Sequence, residues 1–281
     1  MKLSVGGYSF YNLFQEGKMD VFGYLETVKY RYHLDAVDLW NAQIAQRTNS
    51  MLILADESYL VKVREALDEK GLRLVNLAVD TAHLWDPDPE IREALRQNAL
   101  KHLQAAVILG AETVRIDTGG SYRAEDDSYT DEAFEWIVNG YREYCQFARD
   151  HGFRIGPENH MGASLVPDEL VRIAEAVNDP AFGVLLHMDR WSRDKETGDQ
   201  LVAPWAYHIH FDNKSAAKEE ILSHIKAIQA AGYDGYWAVE YNAPENQYLE
   251  VEYLLCQAAK RLKEAESAAD RLDSYIRTGQ N

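Results

Sequence analysis

Basic residues and cysteines are scarce in this chain, and both shortages narrow the range of functions. Among 281 residues, 29 are Lys or Arg and 46 are Asp or Glu, which gives a formal net charge of −17 at pH 7. Such a charge repels a phosphate backbone, so we expect no nucleic-acid partner. Cys145 and Cys256 fall in segments with helical patterns and form no CxxC or CxxxC spacing. We therefore predict that both are reduced, buried packing residues.

Long apolar runs and flexible linkers are also missing. No stretch approaches the roughly 20 apolar residues that cross a bilayer. The first residues, MKLSVGGYSFYNLF, lack the continuous apolar region of a secretory signal. No Pro-rich or Gly/Ser-rich linker divides the sequence, and α/β barrels of about 250 residues form single domains. We expect a cytoplasmic protein with no membrane partner and one domain over residues 1–281.

The chain does contain a regular alternation of short apolar runs and segments with helical periodicity. Eight apolar or β-branched runs cover residues 3–8, 34–40, 72–79, 113–118, 153–159, 182–189, 206–212 and 236–242. Between them, apolar residues three and four apart predict helices over 57–69, 88–109, 131–150, 167–178 and 219–231. Several of these helices end in a glycine just before the next run, as in EKGLRL and DHGFRI, which is typical of a helix C-terminus.

Eight strands that alternate with helices predict an α/β protein, and the count favours a single (β/α)₈ TIM barrel. A doubly wound open sheet is the alternative, but its usual GxGxxG after the first strand is absent. Apolar residues at helical spacing from about residue 255 to residue 281 predict an extended C-terminal helix. This helix either packs on another subunit of a homo-oligomer or runs across the barrel's own N-terminal face.

Polar side chains gather at the ends of the last four apolar runs. These runs end with Glu158 and His160, His187 and Asp189, His208 and His210, and Glu240. The C-terminal ends of barrel strands meet at one mouth, where functional groups of this fold lie. Crowded charges there are costly unless a cation compensates them, so the pattern indicates a divalent metal ion. Two glutamates with one or two histidines suit Mn²⁺, Mg²⁺, Zn²⁺ or Co²⁺.

Three sequence elements resemble the xylose isomerase-like TIM barrels. This group contains sugar isomerases, inosose-processing enzymes, ketose epimerases and the endonuclease IV-type nucleases. PENHMG is similar to the ENH-G element of the group, HIHFDNK to its His-x-His strand, and WAVEYN to its final metal-binding glutamate. The resemblance follows strand order over almost the whole chain. It implies the barrel fold, one bound divalent ion and a small carbohydrate substrate.

The resemblance implies that Glu158, His210 and Glu240 are metal ligands. The family's fourth ligand is an aspartate in a pattern close to LLD-x-G-[HN], where this chain has LLHMDR. Either His187 replaces that aspartate or Asp189 reaches the metal from two residues further on. The register of the preceding GVLL favours His187. Two imidazoles with two glutamates favour Mn²⁺, Zn²⁺ or Co²⁺, with Mg²⁺ as a further candidate.

The resemblance also implies catalytic roles. In ketose epimerases the two glutamates act as ligand and as acid or base, which here means Glu158 and Glu240. His160 is either an additional base or a hydrogen-bond partner of a ligand. Further candidates for substrate binding are Trp40, His83, Arg115, Arg190 and Lys214. The alternatives are packing for Trp40, solvent exposure for His83 and Lys214, and a buried ion pair with Asp117 for Arg115.

A metal ion with open positions can chelate a carbonyl and the adjacent hydroxyl of a sugar, and so stabilise an enediolate. The expected function is therefore a metal-dependent isomerase or epimerase of a keto sugar or inosose. A lyase that uses the same enediolate, such as an inosose or 3-keto-glycoside dehydratase or deglycosidase, is the close alternative. An endonuclease IV-like phosphodiesterase would need a basic groove, which the net charge disfavours. A non-catalytic sugar-binding barrel is the remaining alternative.

Overall fold

The computed structural model describes residues 1–48, 51–120 and 128–278, with side chains described up to residue 266. Ten strands are present in these ranges. In chain order they are β1 (Leu3–Val5), β2 (Ala36–Trp40), β3 (Ala45–Arg47), β4 (Leu52–Leu54), β5 (Arg73–Val79), β6 (Thr113–Ile116), β7 (Arg154–Gly156), β8 (Val184–His187), β9 (Ala206–Asp212) and β10 (Trp237–Glu240).

All strands except β3 and β4 pair in parallel and close into a barrel. Hydrogen-bonded ladders run in the orders β2–β5–β6–β7 and β8–β9–β10–β1. Parallel bridges from Gly6 to Asp38 and from Glu158 to Leu185 join the two ladders at both ends. The strands therefore follow one another around the barrel in chain order. This closure confirms the predicted (β/α)₈ barrel and excludes the open doubly wound sheet.

Helices surround the barrel, and the predicted ones begin and end within two residues of the expected positions. Across the described ranges they are α1 (Tyr11–Gln15), α2 (Val21–Glu26), α3 (Glu57–Lys70), α4 (Pro89–Leu109), α5 (Asp131–His151), α6 (Pro167–Val177), α7 (Lys195–Val202), α8 (Asn213–Ala216), α9 (Ile221–Ala230) and α10 (Gln247–Thr278). Among these residues, no helix combines the length and the apolarity that a membrane crossing needs.

Residue types at the helix ends explain where the helices begin and stop. Gly152 follows α5 with a φ of +80°, in the left-handed region that glycine enters without steric cost. Glycines end α3 and α4 in the same way. At the opposite end of α5, the side chain of Thr130 accepts a hydrogen bond from the backbone N–H of Ala133. The glycine-terminated junctions predicted from the sequence are therefore confirmed.

The antiparallel hairpin of β3 and β4 was not predicted. Each of its strands has three residues, which is too short for an alternating pattern to stand out. The hairpin lies between β2 and α3, on the side of the barrel where the strands end. It brings Arg47 to the edge of the cavity that opens above the strand ends.

Helix α10 packs on the barrel of its own chain over the part whose side chains are described. Its buried residues join the same hydrophobic core as β1 and β10, and they are Val251, Leu254, Leu255, Ala258, Leu262 and Ala265. The helix also contacts α9. It therefore covers the flank of the barrel beside β10 and β1, up to Ala265. Packing of α10 on another subunit of a homo-oligomer stays a prediction.

The two cysteines have different surroundings. Cys145 is buried in α5, as predicted, and burial raises the pKa of its thiol to about 12. Cys256 is exposed on α10, so the prediction of a buried packing residue is wrong at this position. The reason is the helical periodicity, since Leu255 and Ala258 turn toward the core and position 256 turns away from it.

Candidate metal centre and active site

Glu158 owes its position to an unusually close approach between two strands. A Cβ atom at Gly156 would lie 1.6 Å from the carbonyl oxygen of Gly183, so only glycine lets the end of β7 approach the segment before β8. The chain then continues beside β8, where the backbone N–H of Leu185 donates to the carbonyl of Pro157 at 2.9 Å. This pairing carries Glu158 to the C-terminal mouth of the barrel.

Four buried side chains from the ends of β7, β8, β9 and β10 converge at this mouth. They are Glu158, His187, His210 and Glu240, and one possible ligand atom of each lies within 4.8 Å of the other three. Nδ1 of His210 is 2.7 Å from Oε2 of Glu240. Nδ1 of His187 is 3.0 Å from Oε1 of Glu158. The structure thus brings together the four residues favoured as ligands by the sequence.

The outer nitrogen of each histidine faces a further carboxylate. Nε2 of His210 donates to Oδ2 of Asp38 at 2.8 Å, and Nε2 of His187 lies 3.3 Å from Oδ2 of Asp212. The hydrogen bond to Asp38 holds a proton on Nε2 of His210, so in the neutral form of His210 the lone pair of Nδ1 faces Glu240. Histidines that bind metal ions are commonly oriented by a carboxylate in this way.

The donor set fits a divalent cation. Nδ1 of His210 is buried and makes no aligned hydrogen bond, although Glu240 is close to it. Two carboxylates in so small a space repel one another unless a positive charge, a metal ion or protons on the histidines, lies among them. Two imidazoles and two carboxylates suit Zn²⁺, Co²⁺ and Mn²⁺. The residues present could therefore hold one such ion.

Electrostatic interactions within the cluster favour charged forms of its members. Burial lowers the pKa of His210, but Glu240 and Asp38 more than offset it and raise that pKa well above its usual value. For His187, Asp212 and Glu158 likewise overcome burial and raise the pKa. Burial raises the pKa of Glu158, but His160 and the two clustered histidines hold it well below its usual value. Protons and a metal ion would compete for the same nitrogens.

Asp38 lies inside the barrel beneath this cluster, and no role for it was predicted from the sequence. Its Oδ2 accepts hydrogen bonds from Nε2 of both His208 and His210, each at 2.8 Å. Its Oδ1 accepts a hydrogen bond from the side chain of Asn76 at 2.7 Å. Burial raises the pKa of Asp38, but the two histidines bring it below the usual range. A carboxylate in the middle of the apolar strand AVDLW was the available signal.

Asn159 ties the end of β7 to the end of β8. Its Nδ2 donates to the carbonyl of His187 at 2.8 Å, and its Oδ1 accepts from the backbone N–H of His187 at 2.7 Å. Nδ2 also reaches the carbonyl of Arg190 at 3.1 Å. Asn159 is fully buried. It therefore fixes His187 relative to Glu158, its neighbour in the sequence.

A second group of charges borders the cluster. Nη1 of Arg115 donates to Asp80 at 2.8 Å and to Asp117 at 3.0 Å, and its Nε lies 3.3 Å from Oε2 of Glu158. Nδ1 of His160 lies 2.8 Å from Oδ2 of Asp117. Burial raises the pKa of Asp117, but Arg115 and His160 lower it overall. Arg115 thus forms the buried ion pair with Asp117 and also contacts Glu158.

A cavity of about 440 Å³ opens above Glu158, His210 and Glu240 and is also lined by His160, Arg115 and Arg190. Small-molecule sites typically measure about 300–1,000 Å³. One side of the cavity is aromatic and consists of Tyr8, Tyr11 and Trp40. The rings of Tyr8 and Trp40 meet edge to face at 5.2 Å, and the indole N–H of Trp40 donates to Asp80 at 2.7 Å. Trp40 was among the substrate-binding residues predicted from the sequence, whereas the two tyrosines were not.

Arg190 and Lys214 occupy different positions around the cluster. Nη1 of Arg190 is 3.3 Å from Oε1 of Glu158 and from Nδ1 of His187. Lys214 is exposed and borders a neighbouring cavity rather than the one above the glutamates.

His83 is half-buried in the loop after β5, and it lines neither of these two cavities. Burial lowers the pKa of His83.

Asp189, the alternative ligand, points elsewhere. Its φ of +59° turns the chain directly after β8, and its carboxylate pairs with Lys218. Its backbone N–H donates to the carboxylate of Asp199 at 3.0 Å. Strand β8 ends at His187, so the alternation of side chains along a strand does not extend to Asp189.

A sequence profile of the xylose isomerase-like TIM barrels matches residues 31–273. The chain belongs to this family. The xylose isomerase-like barrel therefore accounts for the resemblance noted in PENHMG, HIHFDNK and WAVEYN.

Proteins similar to this chain include a dehydratase and two epimerases. An inosose dehydratase from Glaesserella parasuis serovar 5 is 20% identical over 192 residues, which covers 65% of this chain and 63% of the relative. The match thus spans less than two thirds of that relative. An L-ribulose 3-epimerase superposes with a TM-score of 0.73 at 11% identity, over 96% of this chain and 97% of the epimerase. D-psicose 3-epimerase from Clostridium cellulolyticum H10 superposes with a TM-score of 0.72 at 14% identity, over 93% of this chain and 99% of the epimerase. At these identities the two structures show the shared fold alone.

Proposed function

We propose that this protein is a metal-dependent isomerase or epimerase of a keto sugar or inosose. The observation that carries the proposal is the convergence of Glu158, His187, His210 and Glu240 below a cavity of about 440 Å³. A divalent ion held by these residues would polarise the carbonyl of the substrate as a Lewis acid. The membership of the chain in a family with ketose 3-epimerase neighbours supports the same chemistry.

The two glutamates are suited to proton transfer at the carbon beside the carbonyl. Glu158 follows β7 and Glu240 ends β10, so the two carboxylates approach the cavity from strands that β8 and β9 separate. Burial raises the pKa of Glu240, but His210 and His187 lower it overall, and the pKa of Glu158 is lowered as well. Both carboxylates are therefore charged and able to accept a proton. One would remove the proton and the other would return it.

The aromatic side of the cavity provides a surface for the substrate. Tyr8 and Tyr11 are partly exposed there, and Trp40 is fixed by its hydrogen bond to Asp80. Aromatic rings of this kind pack against the apolar C–H face of a sugar while its hydroxyl groups face polar residues. Arg190 borders the same cavity and would donate hydrogen bonds to substrate oxygens.

A lyase is the second candidate, and one observation favours it. His160 lines the cavity and lies 2.8 Å from the carboxylate of Asp117, which gives the site a third oriented group that can transfer a proton. Epimerisation by two glutamates does not need such a group, whereas elimination needs an acid that protonates the departing hydroxyl. The inosose dehydratase among the sequence relatives also supports this reading.

Solvent exchange tests the proposal and separates the two reactions. Protein reconstituted with Mn²⁺ would be incubated in D₂O with free ketoses, inososes and 3-keto-glycosides, and followed by NMR. An epimerase or isomerase yields a rearranged sugar that carries deuterium at the reacting carbon. With a lyase, the substrate loses water or its glycosidic group, and the product is an unsaturated ketone or a diketone. Neither deuterium incorporation nor elimination with any of these substrates would contradict the proposed function.

A further inference from the structure

A second cavity adjoins the one above the glutamates. Its volume is about 580 Å³, and it shares His160, Arg190 and Asn242 with the first cavity. It also reaches His187, one of the four clustered residues. A substrate with its carbonyl at the candidate metal centre would therefore have room to extend a substituent past Arg190 into this space.

The charge of the second cavity is opposite to that of the whole protein. Four cationic side chains line it, namely Arg190, Lys195, Lys214 and Lys218, against two carboxylates, Asp189 and Asp212. The chain as a whole carries 46 acidic and 29 basic residues. A local excess of positive charge is therefore not what the composition alone would produce.

Two of these lysines have no acidic partner among the residues that the structure describes. The carboxylates are already engaged, because Asp189 pairs with Lys218 and Asp212 accepts hydrogen bonds from the backbone and side chain of Ser215. In the described part of the chain, neither Lys195 nor Lys214 forms an ion pair or a side-chain hydrogen bond. Lys195 begins α7 and Lys214 lies in α8, so the loops after β8 and β9 bring two unneutralised ammonium groups to one space.

The segment that separates the two cavities is held in place by a buried network. Asp199 is buried and accepts a hydrogen bond from the indole N–H of Trp191 at 2.7 Å and from the backbone N–H of Asp189 at 3.0 Å. Asn159 holds the carbonyl of Arg190 at 3.1 Å. Arg190 is therefore presented by a fixed backbone at the boundary of the two cavities.

We propose that the second cavity binds an anionic group, a phosphate or a carboxylate, on the same substrate molecule whose carbonyl is bound at the glutamate and histidine cluster. The substrate class is then an acidic or phosphorylated keto sugar or cyclitol rather than a neutral one. Arg190, Lys195 and Lys214 provide the positive charge, and charge-assisted hydrogen bonds from such groups are stronger than neutral ones. The proposal rests on the proposed function for the position of the carbonyl.

Binding of three matched sugars tests this inference. The affinities of D-fructose, D-fructose 6-phosphate and D-fructuronate are measured by isothermal titration calorimetry with protein loaded with Mn²⁺ and with protein treated with EDTA. The wild type is expected to bind at least one anionic sugar about tenfold or more tightly than fructose, with the advantage shrinking as NaCl increases. Preference for the phosphate or for the uronate identifies which anion the cavity accepts.

A pair of double variants locates the effect. K195Q/K214Q is expected to lose most of the preference for the anionic sugar. K62Q/K226Q removes the same charge from exposed lysines on α3 and α9, and it is expected to keep the preference. Because the second variant has the same net charge as the first, a general electrostatic effect is distinguished from a local one.

Several outcomes would overturn the inference. Equal affinities of the wild type for the neutral and anionic sugars would do so, as would a preference that survives in K195Q/K214Q. A preference seen only with Mn²⁺ and insensitive to the lysines would mean that the anion binds the metal directly, which also overturns it. Failure of the protein to bind Mn²⁺ would contradict the proposed function instead, since the preference is measured independently in the EDTA-treated protein.

Discussion

Oδ2 of Asp38 accepts a hydrogen bond from Nε2 of His210 at 2.8 Å, and this contact crosses the interior of the barrel. Asp38 lies in β2 and His210 in β9, and these strands are not neighbours in the ladders. Because an ionised carboxylate only accepts hydrogen bonds, Asp38 holds a proton on Nε2 of His210. Nδ1, the nitrogen beside Glu240, is then the one that can bind a metal ion once its own proton is displaced. A residue distant from the glutamates thus determines which nitrogen of His210 can bind a metal ion.

Replacement of Asp38 with Asn should weaken metal binding without removing a ligand. The amide keeps the size of the side chain but loses the charge that fixes the Nε2 proton of His210. We expect the affinity for Zn²⁺ or Mn²⁺ to fall about 10- to 100-fold, as is usual when such a partner is lost. Competition with a fluorescent chelator measures the change.

The matched control for this variant is Asp35→Asn. Asp35 is exposed and pairs with Lys29 at 2.6 Å on the surface, so its replacement should leave the affinity for metal unchanged. Equal affinities for Asp38→Asn and the control would mean that Asp38 does not orient a ligand.

Glu240→Gln should lose turnover and metal affinity together. The amide has the shape of the carboxylate but supplies neither the ligand charge nor the proton acceptor. We expect activity at saturating Mn²⁺ to fall by about 100-fold or more, since a positioned acid or base contributes that much. Glu245→Gln, at an exposed position in the loop after β10, is the control. Wild-type turnover in Glu240→Gln would remove Glu240 from the mechanism.

The contribution of β8 to the metal site is tested by comparing two alanine variants. His187→Ala should lose bound metal, because Nδ1 of His187 lies 3.0 Å from Glu158 within the cluster. Asp189→Ala should retain it, because the Asp189 carboxylate pairs with Lys218 instead. Metal content is measured by mass spectrometry after dialysis. Loss of metal only from the aspartate variant would show that Asp189 is the ligand.

The affinity for metal should also fall as the pH is lowered, because protons compete with the metal ion for the two histidines. The pKa values of His187 and His210 are raised in the ion-free protein, so each imidazole holds a proton that the metal has to displace. A raised pKa extends this competition to pH values above the usual histidine range near 6.5. The affinity for Zn²⁺, measured from pH 8 to pH 6 by chelator competition, should therefore fall continuously. A constant affinity over this range would exclude both imidazoles as ligands.

The sequence predicted those parts of the fold that depend on neighbouring residues. The barrel strands, the helices between them and the glycines at their ends all follow from local patterns of apolar residues and turn residues. The polar residues at the ends of β7 to β10 were found because the barrel topology brings strand ends to one mouth. His187 was distinguished from Asp189 only by the register of the four residues before it.

The residues that the sequence analysis missed act through distant contacts. Asp38 meets His208 and His210 across 170 and 172 positions of the chain, a pairing that no local spacing reveals. Tyr8 and Tyr11 join Trp40 only because the loop after β1 folds toward β2. The contact between Asp117 and His160 spans 43 positions. Such contacts depend on which strands face each other across the closed barrel.

His102 illustrates a polar residue that serves stability rather than the site. It is fully buried in α4, its Nδ1 lies 2.8 Å from the carbonyl of Asn98, and Nδ2 of Asn41 lies 3.0 Å from its Nε2. A carbonyl accepts and an amide N–H donates, so these partners fit a neutral imidazole with its proton on Nδ1. Burial lowers the pKa of His102 to about 4.

The buried His102 should make the protein less stable in mild acid. Its pKa is lower in the folded state than the 6.5 expected after unfolding, so the unfolded chain binds the extra proton and stability falls as pH drops from about 6.5 to about 4. A difference of this size corresponds to about 3 kcal/mol. In His102→Gln this contribution is absent. Urea unfolding of EDTA-treated wild type and variant is measured at pH 7.0, 5.5 and 4.5, and the wild type should lose more stability than the variant. Parallel losses would mean that His102 takes up its proton over the same pH range in the folded and unfolded states.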